Sequence, residues 1–70
     1  MKIKDLQPAD RVKLFDNIEY MVTKRETIIS LKTADELAIN KAIYYGKVIF
    51  RKGKKIASRT KEYHEWKVFN

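Results

Sequence analysis

The chain has 70 residues, no cysteine and one histidine, and its formal net charge is +7. This length accommodates one domain, which buries only about 60% of the surface that its unfolded form exposes. Without cysteine no disulfide forms, and His64 alone excludes zinc sites built from several histidines and cysteines. We therefore expect a single domain over residues 1–70, with a thin core and with no cofactor or structural metal.

Hydropathy argues against a membrane span and against a disordered chain. No stretch approaches the roughly 20 apolar residues that cross a bilayer, and the N-terminus lacks the apolar run of a signal peptide. Hydrophobic residues make up 44% of the chain, which provides enough apolar surface for collapse. We expect a folded cytoplasmic domain without a membrane partner, and its thin core is compatible with a homodimer.

The excess positive charge lies entirely in the C-terminal part of the chain. Residues 1–40 carry seven basic and seven acidic side chains, so this part is neutral. Residues 41–70 carry nine basic side chains against two acidic ones, Glu62 and Glu65. A neutral part joined to a basic part predicts a scaffold that presents one electropositive surface.

The neutral part predicts a three-stranded antiparallel meander. Its apolar residues alternate at a period of two, and proline, aspartate and asparagine mark the turns between them. Asp10 follows Pro8 and is expected to hydrogen-bond nearby backbone. In chain order we expect a turn over residues 7–10, strands over 12–15, 18–22 and 27–32, and turns at 16–17 and 24–26.

One short helix is expected over residues 33–45. Thr33 and Glu36 have the spacing of a capping box, in which each side chain bonds the backbone N–H of the other residue. Gly46 follows as the expected C-terminal stop. These signals place the helix between the meander and the basic part of the chain.

The apolar pattern of this helix leaves two alternatives open. Ile39 and Ile43 fall opposite the arc that the other apolar side chains share. Either the helix is sandwiched between two sheet modules, or residues 42–45 are extended and belong to the next strand.

The basic part predicts a β-hairpin and a last strand. Residues 47–51 and 55–59 alternate and flank Gly53. A turn that begins at Gly53 and a turn centred on Lys52 and Gly53 give different registers, and both remain open. Residues 63–69 also alternate and are expected to form the final strand. The fold class is therefore α+β, with a meander, one short helix, a basic hairpin and a C-terminal strand.

The opening turn resembles that of a known family. Residues 6–14 read LQPADRVKL and are similar to the start of small SH3-like barrels, in which a turn of the type L-x-P-G-D-x-V feeds the first strand. Ala9 stands where those barrels usually have glycine. The resemblance implies a small β-barrel and implies no function.

The basic side chains of the hairpin predict nucleic-acid binding. Lysine and arginine bind phosphates with release of counterions, and a two-stranded ribbon fits the major groove of DNA. Six of the eight aromatic residues lie in the same part of the chain, so stacking on unpaired bases is a second mode of contact. The pattern is equally compatible with DNA and with RNA. The expected contact residues are Lys47, Arg51, Lys52, Lys54, Lys55, Arg59 and Lys61.

Two roles are expected within this set. Lys52, Lys54 and Lys55 lie near the tip of the predicted hairpin and would contact phosphates. Arg51 and Arg59 would make bidentate contacts, because the guanidinium fork matches a phosphate or the edge of a guanine.

An acidic protein is the alternative partner for the same surface. A basic face attracts such a partner, and electrostatics then sets the association rate. Lysine-rich hairpins also serve to keep sheet edges soluble and unpaired. The candidate apolar anchors are Ile39, Ile43, Tyr44 and Tyr45. The aromatic residues expected in the core are Phe50, Trp66 and Phe69, because a thin domain needs its large apolar side chains inside.

Catalysis is not expected from this sequence. Small ribonuclease toxins are similarly short and basic, and Arg51, Arg59, Tyr63 and His64 would have to fill the roles of charge stabiliser and acid–base group. A lone histidine between two glutamates is more simply an exposed strand residue. We therefore expect a protein that acts by binding.

Overall fold

The computed structural model describes residues 3–60 and 65–69, which form an antiparallel sheet of seven strands with one short helix. The strands are β1 (Arg11–Leu14), β2 (Glu19–Val22), β3 (Thr27–Ser30), β4 (Glu36–Ala38), β5 (Gly46–Arg51), β6 (Lys54–Arg59) and β7 (Trp66–Val68). A turn of 3-10 helix, Ile3–Asp5, precedes β1, and helix α1 spans Lys41–Tyr45. The strands lie in the order β4-β3-β2-β1-β5-β6-β7. The fold is mostly β, so the expected α+β class fits it roughly.

The predicted meander is confirmed by β1, β2 and β3. The bounds of each strand lie within two residues of the expected ones. The turn between β1 and β2 has the expected chemistry, because Asn17 has φ +64° and Asp16 Oδ1 accepts the Ile18 N–H at 2.9 Å. Val12 and Tyr20 are direct cross-strand partners, and both are buried on the core face.

The opening turn is closed by Asp10, as expected. The Asp10 N–H donates to the Gln7 carbonyl at 3.0 Å, and Asp10 Oδ2 accepts the Gln7 N–H at 2.9 Å. Ala9 has φ +73°, in the left-handed region that glycine occupies most easily. Glycine is the residue that the resembled turn has at this position.

The predicted helix is wrong over residues 33–40. Ala34 has φ +64°, which interrupts a right-handed helix, and the Thr33 hydroxyl bonds within the loop instead of capping a helix. An extended segment forms instead because β3 offers an open edge with backbone partners. Leu37 pairs there with Ile28 and packs against the core. This packing stabilises the strand more than a capping box stabilises a short helix that lacks core contacts.

Two side chains close the loop that leads into β4. Ser30 is buried, and its Oγ accepts the backbone N–H groups of Lys32 and Thr33 at 3.1 and 3.0 Å. Glu36 Oε1 accepts the Thr27 hydroxyl at 2.6 Å. The glutamate of the predicted capping box therefore bonds across the sheet and stabilises the pairing of β4 with β3.

Helix α1 has five residues and ends at Tyr45, directly before Gly46, the expected C-terminal stop. Residues 42–45 are therefore helical, and the alternative that they are extended is wrong. Gly46 has φ −77° and ψ 153°, a conformation open to any residue. The reason for glycine here is space, because a Cβ would collide with the Ala42 carbonyl and with the Trp66 indole. None of the helices in the described residues has the length and apolar character needed to cross a membrane.

The predicted hairpin is confirmed, and its turn is centred on Lys52 and Gly53. Their φ angles are +52° and +78°, as in a type I′ turn. Arg51 consequently pairs with Lys54 directly before the turn. This decides between the two registers that the sequence left open.

The sheet rolls around one core. Leu37 of β4 and Trp66 of β7 pack in the same cluster as Val12 and Ile49 of the central strands. In a flat sheet of seven strands the edges would lie about 29 Å apart, so the common core requires strong curvature. The two edge strands are not neighbours in the sheet, which is therefore open. The small SH3-like barrel that the opening turn implies is not confirmed.

We expect Gly46→Ala to lower the free energy of unfolding by about 2–3 kcal/mol, because the added methyl must displace the Ala42 carbonyl or the Trp66 indole. Urea denaturation followed by the fluorescence of Trp66 measures the loss. Gly53→Ala is the matched control. Nothing lies within 4 Å of a Cβ there, and the φ of +78° alone costs about 1 kcal/mol. Equal losses in the two variants would contradict the packing role of Gly46.

Candidate nucleic-acid interface

The hairpin divides the predicted contact residues between its two ends. Lys52, Lys54 and Lys55 lie at or beside the turn, whereas Lys47 and Arg59 lie at the opposite ends of β5 and β6. Each of these strands has six residues, which corresponds to about 20 Å of length. The predicted residues therefore form two separate groups along one ribbon.

We call Lys52, Lys54 and Lys55 the basic tip. All three side chains are exposed. Among the described residues, no carboxylate lies within 4.0 Å of their ammonium groups. Lys55 Nζ also lies 5.8 Å from the centroid of the Phe69 ring. The tip thus carries three cations that no described acidic side chain neutralises.

Arg51, a predicted bidentate ligand, is bonded within the protein. Its Nε donates to Asp10 Oδ1 at 2.9 Å and its Nη2 to Asp10 Oδ2 at 2.8 Å. Nη2 also donates to the Asp5 carbonyl at 3.2 Å. The hydrogen bond to Asp10 raises the pKa of Arg51, against a smaller opposing effect of burial. Because its fork is occupied by the buried Asp10 carboxylate, Arg51 fixes the hairpin next to the opening turn.

The opposite end of the ribbon carries three exposed aromatic side chains. Phe15, Tyr44 and Tyr45 are 59%, 64% and 58% exposed. The Phe15 N–H donates to the Tyr45 carbonyl at 2.8 Å. Arg59 Nη1 donates to the Tyr44 carbonyl, and the guanidinium carbon lies 5.5 Å from the centroid of the Phe15 ring. We call Phe15, Tyr44, Tyr45 and Arg59 the aromatic end.

An open cleft of about 400 Å³ lies beside these rings. Its lining includes Phe15, Tyr45, Lys41 and Asp16 at the surface and Tyr20 at the core side. Burial raises the pKa of Tyr20, and the nearby carboxylates add to this effect, so its phenol stays protonated at neutral pH. The cleft therefore combines ring surfaces with one cation and one carboxylate.

Phe50 lies on the outer face of the sheet between two cations. Its direct cross-strand partners are Arg11 on β1 and Lys55 on β6. Arg11 Nη1 lies 3.7 Å from Glu19 Oε2 in a largely exposed ion pair. Arg11 was not among the predicted contact residues, because it belongs to the neutral part of the chain and reaches the hairpin through the pairing of β1 with β5.

The aromatic residues expected in the core have different positions. Trp66 is buried, as predicted, and Phe50 is half-buried. Phe69 is 45% exposed, so its placement in the core is wrong. The edge strand β7 ends before it, and no further strand covers its ring in the described residues.

The apolar side chains of the helical segment divide between core and surface. Ile39 and Ile43 are half-buried against the core, whereas Tyr44 and Tyr45 are exposed. The described strands form one sheet, so a helix sandwiched between two sheet modules is not observed. Of the four candidate anchors, the two tyrosines therefore remain available for a partner.

Several residues considered for contact or catalysis lie outside the described ranges. They are Lys61, Tyr63 and His64. Arg51 and Arg59, the other two residues considered for catalysis, lie at opposite ends of the hairpin. Within residues 3–60 and 65–69, no group of three or more histidine, cysteine or acidic side chains is arranged to hold a metal ion.

No protein-family model, curated protein or solved structure matches this chain. Function is therefore inferred from the geometry and charge of the hairpin and its two ends.

We expect Asp10→Asn to lower the free energy of unfolding by about 2–3 kcal/mol, because it leaves the Arg51 guanidinium without its buried counter-charge. The midpoint of urea denaturation measures this loss. Glu19→Gln is the matched control, since it breaks the exposed pair with Arg11 and should cost less than about 1 kcal/mol. If both variants lost the same stability, the Asp10–Arg51 pair would have no special structural role.

Proposed function

We propose that this protein binds nucleic acid, with the basic tip contacting the phosphates. One observation carries the proposal: Lys52, Lys54 and Lys55 are exposed on one turn, and no carboxylate of the described residues lies within 4.0 Å of them. An ammonium group that keeps its charge can replace a counterion on a phosphate, which favours binding to DNA or RNA. The protein would act by binding rather than by catalysis.

The position of the tip is supported by the rest of the fold. The Asp10–Arg51 pair anchors β5 one residue before the turn, and Lys54 pairs with Arg51 across the hairpin. A turn that is already ordered loses less conformational freedom when a ligand binds. The cost of ordering the turn therefore offsets little of the electrostatic attraction between the lysines of the tip and the ligand.

A second contact zone would lie at the other end of the ribbon. Lys47 is exposed there, with its Nζ 3.4 Å from Asn17 Oδ1, and Arg59 is half-buried beside Phe15. A nucleic acid that reaches both zones would run along the hairpin over about 20 Å. The roles proposed for Arg51 and for Arg59 thus differ, since Arg51 supports the tip and Arg59 belongs to the second zone.

We expect the variant Lys52→Ala/Lys54→Ala/Lys55→Ala to bind every nucleic acid more weakly than the unmodified protein. Each phosphate contact that is lost should also reduce the slope of log affinity against log salt by about one. Fluorescence anisotropy with labelled duplex DNA, single-stranded DNA and RNA, at about 50 and about 200 mM salt, measures both effects.

A charge-matched control separates the tip from the net charge. Lys4→Ala/Lys24→Ala/Lys32→Ala removes the same number of positive charges from exposed positions in the neutral part. This control should retain most of the affinity and the full salt slope. Equal weakening of the two triple variants would show that position is unimportant. If the unmodified protein lacked salt-dependent binding to all three nucleic acids, the function itself would be wrong, and an acidic protein would be the partner to test.

A further inference from the structure

The aromatic end exposes large apolar side chains to solvent, although a small domain needs such side chains for its core. Phe15, Tyr44 and Tyr45 are each more than half exposed, while Tyr20 and Trp66 are buried in the core. Burial of an aromatic ring makes one of the larger favourable contributions to the stability of a small domain. Three exposed rings at one place therefore indicate a binding surface. Their position calls for a functional explanation.

The fold holds these rings together. The Phe15 N–H donates to the Tyr45 carbonyl, which continues the pairing of β1 with β5 beyond Leu14 and Gly46. Within α1, Ala42 is fully buried, and this anchors the short helix that ends in the two tyrosines. The backbone that carries the rings is therefore fixed by the core rather than by a ligand.

The charges around the rings favour an anionic ligand. Arg59 contacts the Phe15 ring and the Tyr44 carbonyl, Lys41 lines the adjacent cleft with Tyr45, and Lys47 lies near Asn17 in the turn after Phe15. Asp16 is the carboxylate in the lining of the same cleft, and its Oδ1 already accepts the Ile18 N–H. Among the described residues, the exposed lysines Lys41 and Lys47 bring positive charge to this end of the ribbon, which favours a phosphate-containing ligand.

We propose that the aromatic end stacks unpaired bases, so that the ligand is a single-stranded nucleic acid. This inference rests on the proposed function, because the basic tip would hold the phosphates of the same strand. Aromatic rings bind bases by stacking when the base faces are free, whereas in a duplex those faces are covered by neighbouring base pairs. Lysines alone do not discriminate between the two forms, so the rings would supply the preference.

The same combination of tyrosine, phenylalanine and arginine is also common at the centres of protein interfaces. A single strand is favoured here because exposed lysines lie at both ends of one ribbon, with Lys47 beside the aromatic end and the basic tip about 20 Å away. A phosphodiester backbone carries charge along its whole length, so one strand can reach both groups of cations. The following experiment distinguishes binding of a single strand from binding of a protein partner.

The experiment compares three probes by fluorescence anisotropy. They are a single strand of about 12 nucleotides, within the usual site sizes for single-strand binding folds, an abasic strand with the same number of phosphates, and a duplex of the same length. The unmodified protein should bind the normal strand at least about 5-fold more tightly than the abasic strand, which corresponds to stacking of one base. Equal binding of the two strands would overturn the inference without any variant.

Tyr44→Ser/Tyr45→Ser tests the residues. This variant should bind the normal strand about 5- to 150-fold more weakly for each base that loses its stacking partner. Its affinity for the duplex and its salt slope should stay unchanged, because the cations are intact. Val68→Ser is the matched control, since it removes an exposed apolar side chain from β7, outside the aromatic end, and should leave all affinities as they are.

The outcomes distinguish this inference from the proposed function. If the double variant bound the single strand as tightly as the unmodified protein, the aromatic end would have no role, while salt-dependent binding through the tip would stand. If the double variant did not fold, the comparison of normal and abasic strands on the unmodified protein would still decide. Absence of salt-dependent binding to all probes would overturn both proposals and favour a protein partner.

Discussion

The rest of the structure depends on the ion pair between Arg51 and the buried Asp10. This pair joins the opening turn to the end of β5, and the Asp10 backbone also binds Val22 at the end of β2. A carboxylate that is 2% exposed would be costly to bury without a partner, so the arginine must stay in place for the turn to keep its conformation. Because Arg51 directly precedes the turn of the hairpin, the same bond also places the basic tip. Arg51, one of the two arginines expected to bind phosphate or a guanine edge, thus stabilises the scaffold that presents the lysines.

The curvature of the sheet explains why the aromatic residues separate into two groups. Trp66 reaches the core from an edge strand, and it can do so because Gly46 leaves space for its indole. Once the core is filled in this way, Phe15 and the two tyrosines at the end of α1 are left at the surface. A 70-residue domain has little apolar surface in reserve, so exposure of these rings costs stability. This cost is consistent with their use in binding.

The two ends of the hairpin would contribute different properties to one ligand site. The lysines at the tip would provide an attraction that depends on salt and is the same for all nucleic acids. The rings at the other end would provide selectivity, since stacking requires bases that are free of a complementary strand. Phe50, which lies between Arg11 and Lys55 on the outer face, offers a further ring next to cations along the same ribbon.

The sequence by itself determined the features that depend on neighbouring residues. The meander, the hairpin and the opening turn follow from period-two alternation and from turn residues such as Asp10, Asn17 and Gly53, whose preferences act over a few positions. The clustering of lysines at the tip of the hairpin is evident from the distribution of charge along the chain alone. Only the tertiary structure decided which extended segments pair. Leu37 lies in a strand because it pairs with the open edge of β3, although the local sequence signals favoured a helix. The tertiary structure also decided that Arg51 binds Asp10 and that Arg59 meets Phe15, since these contacts join residues far apart in the chain and depend on how the sheet curves.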